Sequence, residues 1–175
     1  EIVPQVAGSE DHDGPAVVYR RDRSAAEAVR LSPLAPWTLD RDRSRPEVVI
    51  QDFRQAVAQW SPGLPEDKTW EFREAGPGRV FLITPPGDWQ RPPLVLRPGL
   101  EGPYALFAAA EKGSCYLRVG ERGVVREILA EPCFVETADM TGGEVAIYPA
   151  SVPGSGLREL RLVPVTRAAA DRIAG

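Results

Sequence analysis

From Thr69 onward the sequence consists of short apolar segments separated by turns rich in glycine and proline. In segments such as "TWEFR", apolar and polar residues alternate, which is the period of a β-strand and not that of a helix. Turns such as "GPGR", "GERG" and "TGG" separate these segments. Roughly nine short strands at this spacing are typical of an antiparallel β-sandwich or jelly roll. The sequence therefore predicts a mainly β domain.

The 175 residues are enough for one domain with flanking segments. Residues 1–45 contain proline, glycine and an acidic cluster and are predicted to form a loosely organised, irregular arm with a short helix in "SAAEAVRL". Residues 46–165 are predicted to form a helix and a β-sandwich. Residues 166–175 are interpreted as a C-terminal tail or linker, in which "TRAAADRIAG" favours a helix.

A helix is predicted over about residues 45–60, before the first strand. Ser44 and Glu47 have the spacing of a capping box, and Pro46 is tolerated in a first helical turn. Four apolar residues follow with helical spacing: Val49, Phe53, Val57 and Trp60. We expect this stripe to pack on the sandwich, which makes Trp60 a core residue and not a ligand platform.

The charge and the hydropathy pattern exclude two classes of partner. The net charge is −4 and the pI is near 5.2, whereas nucleic-acid binders carry a basic surface. No apolar run approaches the roughly 20 residues that a membrane helix needs. We therefore expect neither nucleic-acid binding nor a membrane span.

Residues for catalysis or metal binding are sparse. The only histidine, His12, lies in the acidic segment "EDHD", and no nucleophile motif or zinc-type spacing accompanies it. A carboxylate pair for glycoside hydrolysis, such as Glu136 and Asp139, is better interpreted as a strand edge and its turn. The sequence therefore predicts no catalytic residue, no metal ligand and no cofactor.

The two cysteines, Cys115 and Cys133, both lie in strand-like segments and share their parity with apolar neighbours. If the two strands are adjacent, both sulfur atoms point inward within bridging distance. We therefore predict a disulfide, and with it a secreted or periplasmic protein. The alternative is two buried thiols in a cytosolic protein. The start at Glu1, without methionine or a hydrophobic leader, indicates a mature or excised chain.

A proline-rich loop between two predicted strands, "PPGDWQRPP", is the best candidate for a ligand site. Trp89 offers an aromatic face on which a sugar ring can stack. Asp88, Gln90 and Arg91 beside it can bind hydroxyl groups. The alternative is that Trp89 folds back over the end of the sandwich as an anchor for the loop.

Two stretches resemble galactose-binding-like jelly rolls, the fold of many carbohydrate-binding modules. They are "PLVLRPGLEGPYALFAAAEKGSCYLRVG" and "VETADMTGGEVAIYPASVPGSGLRELRLVPV", within residues 93–165. The resemblance implies a β-sandwich whose end loops bind sugar, in some members with a structural calcium ion. It also implies a linked catalytic domain as partner.

These observations lead to one main hypothesis and two alternatives. The main hypothesis is a non-catalytic accessory module of a secreted glycan-acting protein, with a glycan or a linked catalytic domain as partner. The first alternative is an assembly component of a cell-envelope or secretion complex that acts through protein contacts. The second is a small hydrolase that uses carboxylates alone.

Overall fold

A computed structural model describes residues 41–61, 70–86 and 92–174, and side chains up to residue 171. The predicted helix in "SAAEAVRL", His12 and the Trp89 loop lie outside these residues. Along the described residues the elements are β1 Val48–Ile50, α1 Phe53–Trp60, β2 Glu71–Glu74, β3 Val80–Ile83, β4 Leu94–Leu96, β5 Pro103–Glu111, β6 Cys115–Val119, β7 Arg126–Ile128, β8 Cys133–Asp139, β9 Val145–Tyr148, β10 Gly156–Pro164 and α2 Arg167–Ala174.

Strands β3 to β10 pair in a nested, antiparallel arrangement. The first of these eight strands pairs with the last, the second with the seventh, the third with the sixth and the fourth with the fifth. The pairings of β5 with β10 and of β6 with β9 join them into two sheets. β1 and β2 extend the larger sheet to six strands, and the smaller sheet has four. This nesting is that of a jelly roll, and the predicted mainly β sandwich is confirmed.

The core lies between the two sheets, where alternate residues of each strand point inward. The larger sheet contributes Leu82, Leu106 and Leu162, and the smaller sheet contributes Leu94, Leu117 and Ile147. All six are at most 1% exposed. Burial of each such side chain contributes roughly 1.5–3 kcal/mol to the stability of the sandwich.

β10 is the central strand of the larger sheet, because it contacts β1 and β3 on one side and β5 on the other. Its first residue, Gly156, lies so close to β3 that a Cβ atom there would be 2.0 Å from the carbonyl oxygen of Leu82. No other residue type fits at that contact. A bulge between Leu157 and Glu159 then shifts the register of β10 against β5.

The region predicted as one helix over residues 45–60 contains a strand followed by a shorter helix. β1 occupies Val48–Ile50 and pairs with β10, and α1 begins only at Phe53. The run of β-branched residues "VVI" favours a strand, and Asp52 caps the helix by accepting a hydrogen bond from the Gln55 N–H. The predicted start of the helix is therefore wrong.

Two of the four residues in the predicted apolar stripe are buried as expected. Phe53 and Val57 pack in the core, and Trp60 is partly buried against it. Val49 lies on the strand and is 43% exposed. The predicted capping pair is also wrong, because Ser44 bonds to Asp42 and Glu47 to arginines.

Arg45 ties the segment before β1 to the sandwich. Its guanidinium donates hydrogen bonds to the carbonyl oxygens of Glu101, Pro103 and Val165 at 2.7, 3.1 and 2.6 Å. Its Nε donates to Asp42 at 2.8 Å. Since these carbonyls lie before β5, at its start and after β10, one side chain holds three parts of the chain together.

α2 covers part of the outer face of the larger sheet. Ala169 and Ala170 pack there against a small apolar cluster formed by Ala105, Phe107, Phe134, Val163 and Val165. Thr166 caps the helix, since its Oγ1 accepts a hydrogen bond from the Ala169 N–H at 3.2 Å. The alanines let the helix lie close to the strands, so α2 is packed on the domain.

Truncating Phe53 to alanine should lower the free energy of unfolding by about 3–5 kcal/mol, because the ring is fully buried and leaves a cavity. Val49→Ala is the matched control, and its cost should stay within about 0.5 kcal/mol because Val49 is largely exposed. Urea denaturation followed by circular dichroism measures both. Equal losses in the two variants would contradict the assignment of Val49 to a strand surface.

Arg45→Met should lower the free energy of unfolding by about 2–3 kcal/mol, since it removes the hydrogen bonds and leaves carbonyl groups without their donor. Methionine keeps an aliphatic chain of similar reach. Arg122→Met, in the exposed turn between β6 and β7, is the control. A loss no larger than that of the control would show that Arg45 does not hold these segments together.

Candidate binding groove

The predicted ligand residues Asp88, Trp89, Gln90 and Arg91 lie outside the described residues. The residues that flank them are described. Pro86 forms a parallel bridge with Ala150, so the segment leaves β3 beside the loop that connects β9 and β10. The strand order places the loops 149–155, 112–114 and 129–132 side by side at this end of the sandwich. We call this the β3–β4 end.

Two large apolar side chains are exposed at the β3–β4 end. Leu129, before β8, is 46% exposed, and Val152, in the loop before β10, is 45% exposed. Ser155 in the same loop is buried and its hydroxyl donates to the carbonyl oxygen of Lys112. The described part of this end is thus a set of packed loops with a few exposed apolar residues.

Glu136 and Asp139, the example of a carboxylate pair for glycoside hydrolysis, both lie on β8, an edge strand of the larger sheet. Glu136 accepts a hydrogen bond from Arg126 at 3.0 Å. Asp139 accepts hydrogen bonds from the Thr141 N–H and from Arg167, and these bonds lower its pKa to about 2. A carboxyl group that stays ionised is unsuited to donate a proton to a leaving group.

The described surface has a groove of about 310 Å³ between β1 and α1. Its polar lining is Gln51, Asp52, Gln55 and Gln59. Trp60 lines it at the end of α1, and Gly78, from the turn between β2 and β3, also lines it. We call this site the glutamine groove.

The helix start builds one wall of the glutamine groove. Asp52 is the N-cap of α1, and its Oδ1 accepts the Gln55 N–H at 3.1 Å. Gln55 and Gln59 are four residues apart and therefore lie on the same face, about 5–6 Å from each other. Ala56, which is buried, also lines the groove. Both glutamine side chains are exposed.

The strand side of the groove is fixed by a polar network on the outer face of the larger sheet. Gln51 Nε2 donates to Glu159 Oε1 at 3.4 Å. Arg161 lies 3.7 Å from Glu159 and 3.3 Å from Glu47, which also pairs with Arg41 at 2.6 Å. The amide group of Gln51 is therefore oriented by residues on β10.

Trp60 contributes to both the core and the groove. It is partly buried and packs against the core cluster, and its carbonyl oxygen accepts the Arg97 N–H at 2.9 Å. The prediction that Trp60 belongs to the core is only partly confirmed, because its side chain is half-buried and also lines the groove. Because Arg97 follows β4 and Val80 bridges Asp52, the groove lies at the end of β3 opposite to Pro86.

The residues of the groove were not predicted from the sequence. Asp52 followed three residues later by Gln55 has the spacing of a capping motif, and this signal was present in the sequence. It competed with Ser44 and Glu47, which have the same spacing. The pair Gln55 and Gln59 also repeats at helical spacing, but nothing local indicates that β1 lies beside them.

The predicted disulfide is absent from the structure, in which Cys115 and Cys133 are both buried thiols. The reason is their place in the nested topology. Cys115 lies on β6 of the smaller sheet and Cys133 on β8 of the larger one. The two strands are therefore not hydrogen-bonded neighbours, as the prediction of a bridge required.

Neither a protein-family model nor a curated protein matches the chain. Within the described residues, no helix has the length and the apolar character needed to cross a membrane. In the same part of the chain, no three histidine, cysteine, aspartate or glutamate residues are grouped as metal ligands.

Native protein should resist alkylation at Cys115. Burial raises the pKa of this thiol to about 12, so the reactive thiolate is scarce at about pH 8. Iodoacetamide should modify Cys115 only after denaturation, and mass spectrometry without reductant should then show both cysteines modified. A cross-linked pair of cysteine peptides would contradict the structure.

Proposed function

We propose that the protein is a non-catalytic accessory module that binds carbohydrate, and that the glutamine groove is its binding site on the described surface. The observation that carries the proposal is a groove of about 310 Å³ that combines three glutamine amides with a tryptophan. The resemblance to galactose-binding-like jelly rolls, which predicted the nested sandwich, supports the same function. Membership in that family is part of the proposal.

The chemistry of the groove suits a sugar. Each glutamine amide both donates and accepts hydrogen bonds, as each sugar hydroxyl does. Trp60 supplies an apolar surface of the kind on which sugar rings stack. The volume is at the lower limit of ligand pockets, which suits one or two rings. We expect a dissociation constant between about 10 µM and 1 mM.

The Trp89 loop is proposed as a second sugar contact at the β3–β4 end. Trp89 would stack on a ring while Asp88, Gln90 and Arg91 bind hydroxyl groups. Pro86 and Pro92 restrict the backbone at both ends of the segment, which lowers the entropy lost on binding. The two candidate sites consist of different residues, so single variants distinguish between them.

The alternative function, a component of an envelope or secretion assembly, has support at the β3–β4 end. Exposed Leu129 and Val152 are suited to a protein contact more than to a sugar. Under this alternative the same end would bind another protein and Trp89 would be part of that surface.

A secreted or periplasmic location and a linked catalytic domain complete the proposal. Both rest on the resemblance to carbohydrate-binding modules. The cysteines no longer support this location, because the bridge on which that argument depended is absent.

The experiment is a glycan array followed by calorimetry on the best ligand. The double variant Gln55→Ala, Gln59→Ala should weaken binding at least about ten-fold, which corresponds to about 1.4 kcal/mol, since it removes two hydrogen-bonding amides. Alanine is a good helix former, so the melting temperature should be unchanged. Glu127→Ala, at an exposed position on β7, is the control.

Trp89→Ala assigns the site. Loss of binding in this variant alone would move the site to the β3–β4 end. A wild-type protein that binds no glycan would overturn the proposal in favour of the assembly alternative. That alternative predicts concentration-dependent association in light scattering, weakened by Leu129→Ser and Val152→Ser.

A further inference from the structure

We infer that the glutamine groove prefers a sugar with a free, protonated amino group over N-acetylated or acidic sugars. The inference rests on the proposed function and adds the chemical class of the ligand. It follows from the charges and hydrogen-bond acceptors of the groove.

The groove offers one charged group, the Asp52 carboxylate, and its lining contains no lysine or arginine. Asp52 Oδ1 is occupied by the Gln55 N–H, at 3.1 Å. Its other oxygen makes no hydrogen bond to any described residue, and Asp52 is only partly buried. One carboxylate oxygen is thus available to a ligand that can donate.

Gln51 adds a second acceptor to the same side. Its Nε2 donates to Glu159, which holds the amide nitrogen away from the ligand. The Oε1 atom is therefore the one that can accept a hydrogen bond from a ligand. If the Gln51 amide were rotated by 180°, its Oε1 would face the Glu159 carboxylate, and the two oxygen atoms would repel each other. The strand side of the groove therefore presents acceptors.

Two arginines on neighbouring elements are engaged by other groups. Arg161 pairs with Glu47 and Glu159. Arg54, on α1, lies over the ring of Phe72 at 5.7 Å. An acidic sugar would meet Asp52 without a compensating cation in the lining, and the resulting repulsion disfavours it.

An ammonium group suits the Asp52 end of the groove, because it donates hydrogen bonds to carboxylate and carbonyl oxygens. An N-acetyl group removes the charge and adds a carbonyl acceptor, so it loses the pairing with Asp52. The preferred ligand is therefore a hexosamine unit at the end of a chain or within it.

The test compares three oligosaccharides of equal length by calorimetry at mildly acidic pH, where the amine is protonated. They are an oligoglucosamine, its fully N-acetylated form and an oligogalacturonate. The wild type should bind the amine form about five-fold more tightly than the acetylated form, as expected for one partly exposed ion pair. The acidic form should bind weakest.

Asp52→Asn is the decisive variant. Asparagine caps a helix as well as aspartate does, so α1 should keep its stability in a thermal melt followed by circular dichroism. The variant should bind the amine and acetylated forms equally, with affinity for the acetylated form unchanged. Glu127→Gln, which removes a distant exposed carboxylate, should keep the five-fold preference.

The outcomes separate the inference from the proposed function. Equal binding of the amine and acetylated forms by the wild type overturns the inference and leaves the function standing. A preference that survives Asp52→Asn, or is lost in Glu127→Gln, also overturns it. If no glycan binds in the array or in calorimetry, both the inference and the proposed function are wrong.

Discussion

The pairing of β5 with β10 is the contact on which the rest of the structure depends. Both strands are nine residues long, and their pairing runs from Gly156 to Pro164. β8 extends the sheet from β5, and β1 and β3 extend it from β10. The inner face of the pair carries much of the core and its outer face receives α2. Since these contacts join distant parts of the chain, loop closure must precede most of the stabilisation, which is typical of slow-folding β proteins.

The glutamine groove lies outside the eight nested strands. β1 and α1, which form its walls, are additions to the jelly roll, joined to it by Arg45, by Phe53 and by the pairing of β1 with β10. Substitutions on the exposed face of α1 therefore change the groove without a change in the core. The same separation explains why a binding site can be altered while the fold persists.

The strands were predictable because their signal is local: alternation in "TWEFR" leaves Glu71 and Arg73 exposed, and the structure buries Trp70. The start of α1 was not predictable in the same way. Val49 has helical spacing to Phe53, whereas the β-branched run around Val49 favours a strand. Parity predicted the burial of both cysteines, but not their sheets, because nesting is a long-range property. The groove depends partly on the same kind of information, because Gly78, from the turn between β2 and β3, lines it together with residues of α1.

Arg41 bridges Val165, and the Asp42 N–H donates to the carbonyl oxygen of Pro164 at 2.9 Å, so the described chain enters and leaves the sandwich at one point. If the segments before Arg41 and after Val165 were pulled apart, the force would separate β1 from β10, starting at the ends that lie nearest to these residues. The bonds of the short strand β1 would break one after another, before those that pair β10 with β3 and β5. Because β1 is a wall of the glutamine groove, a pull on the flanking segments would open the binding site before it unfolds the domain.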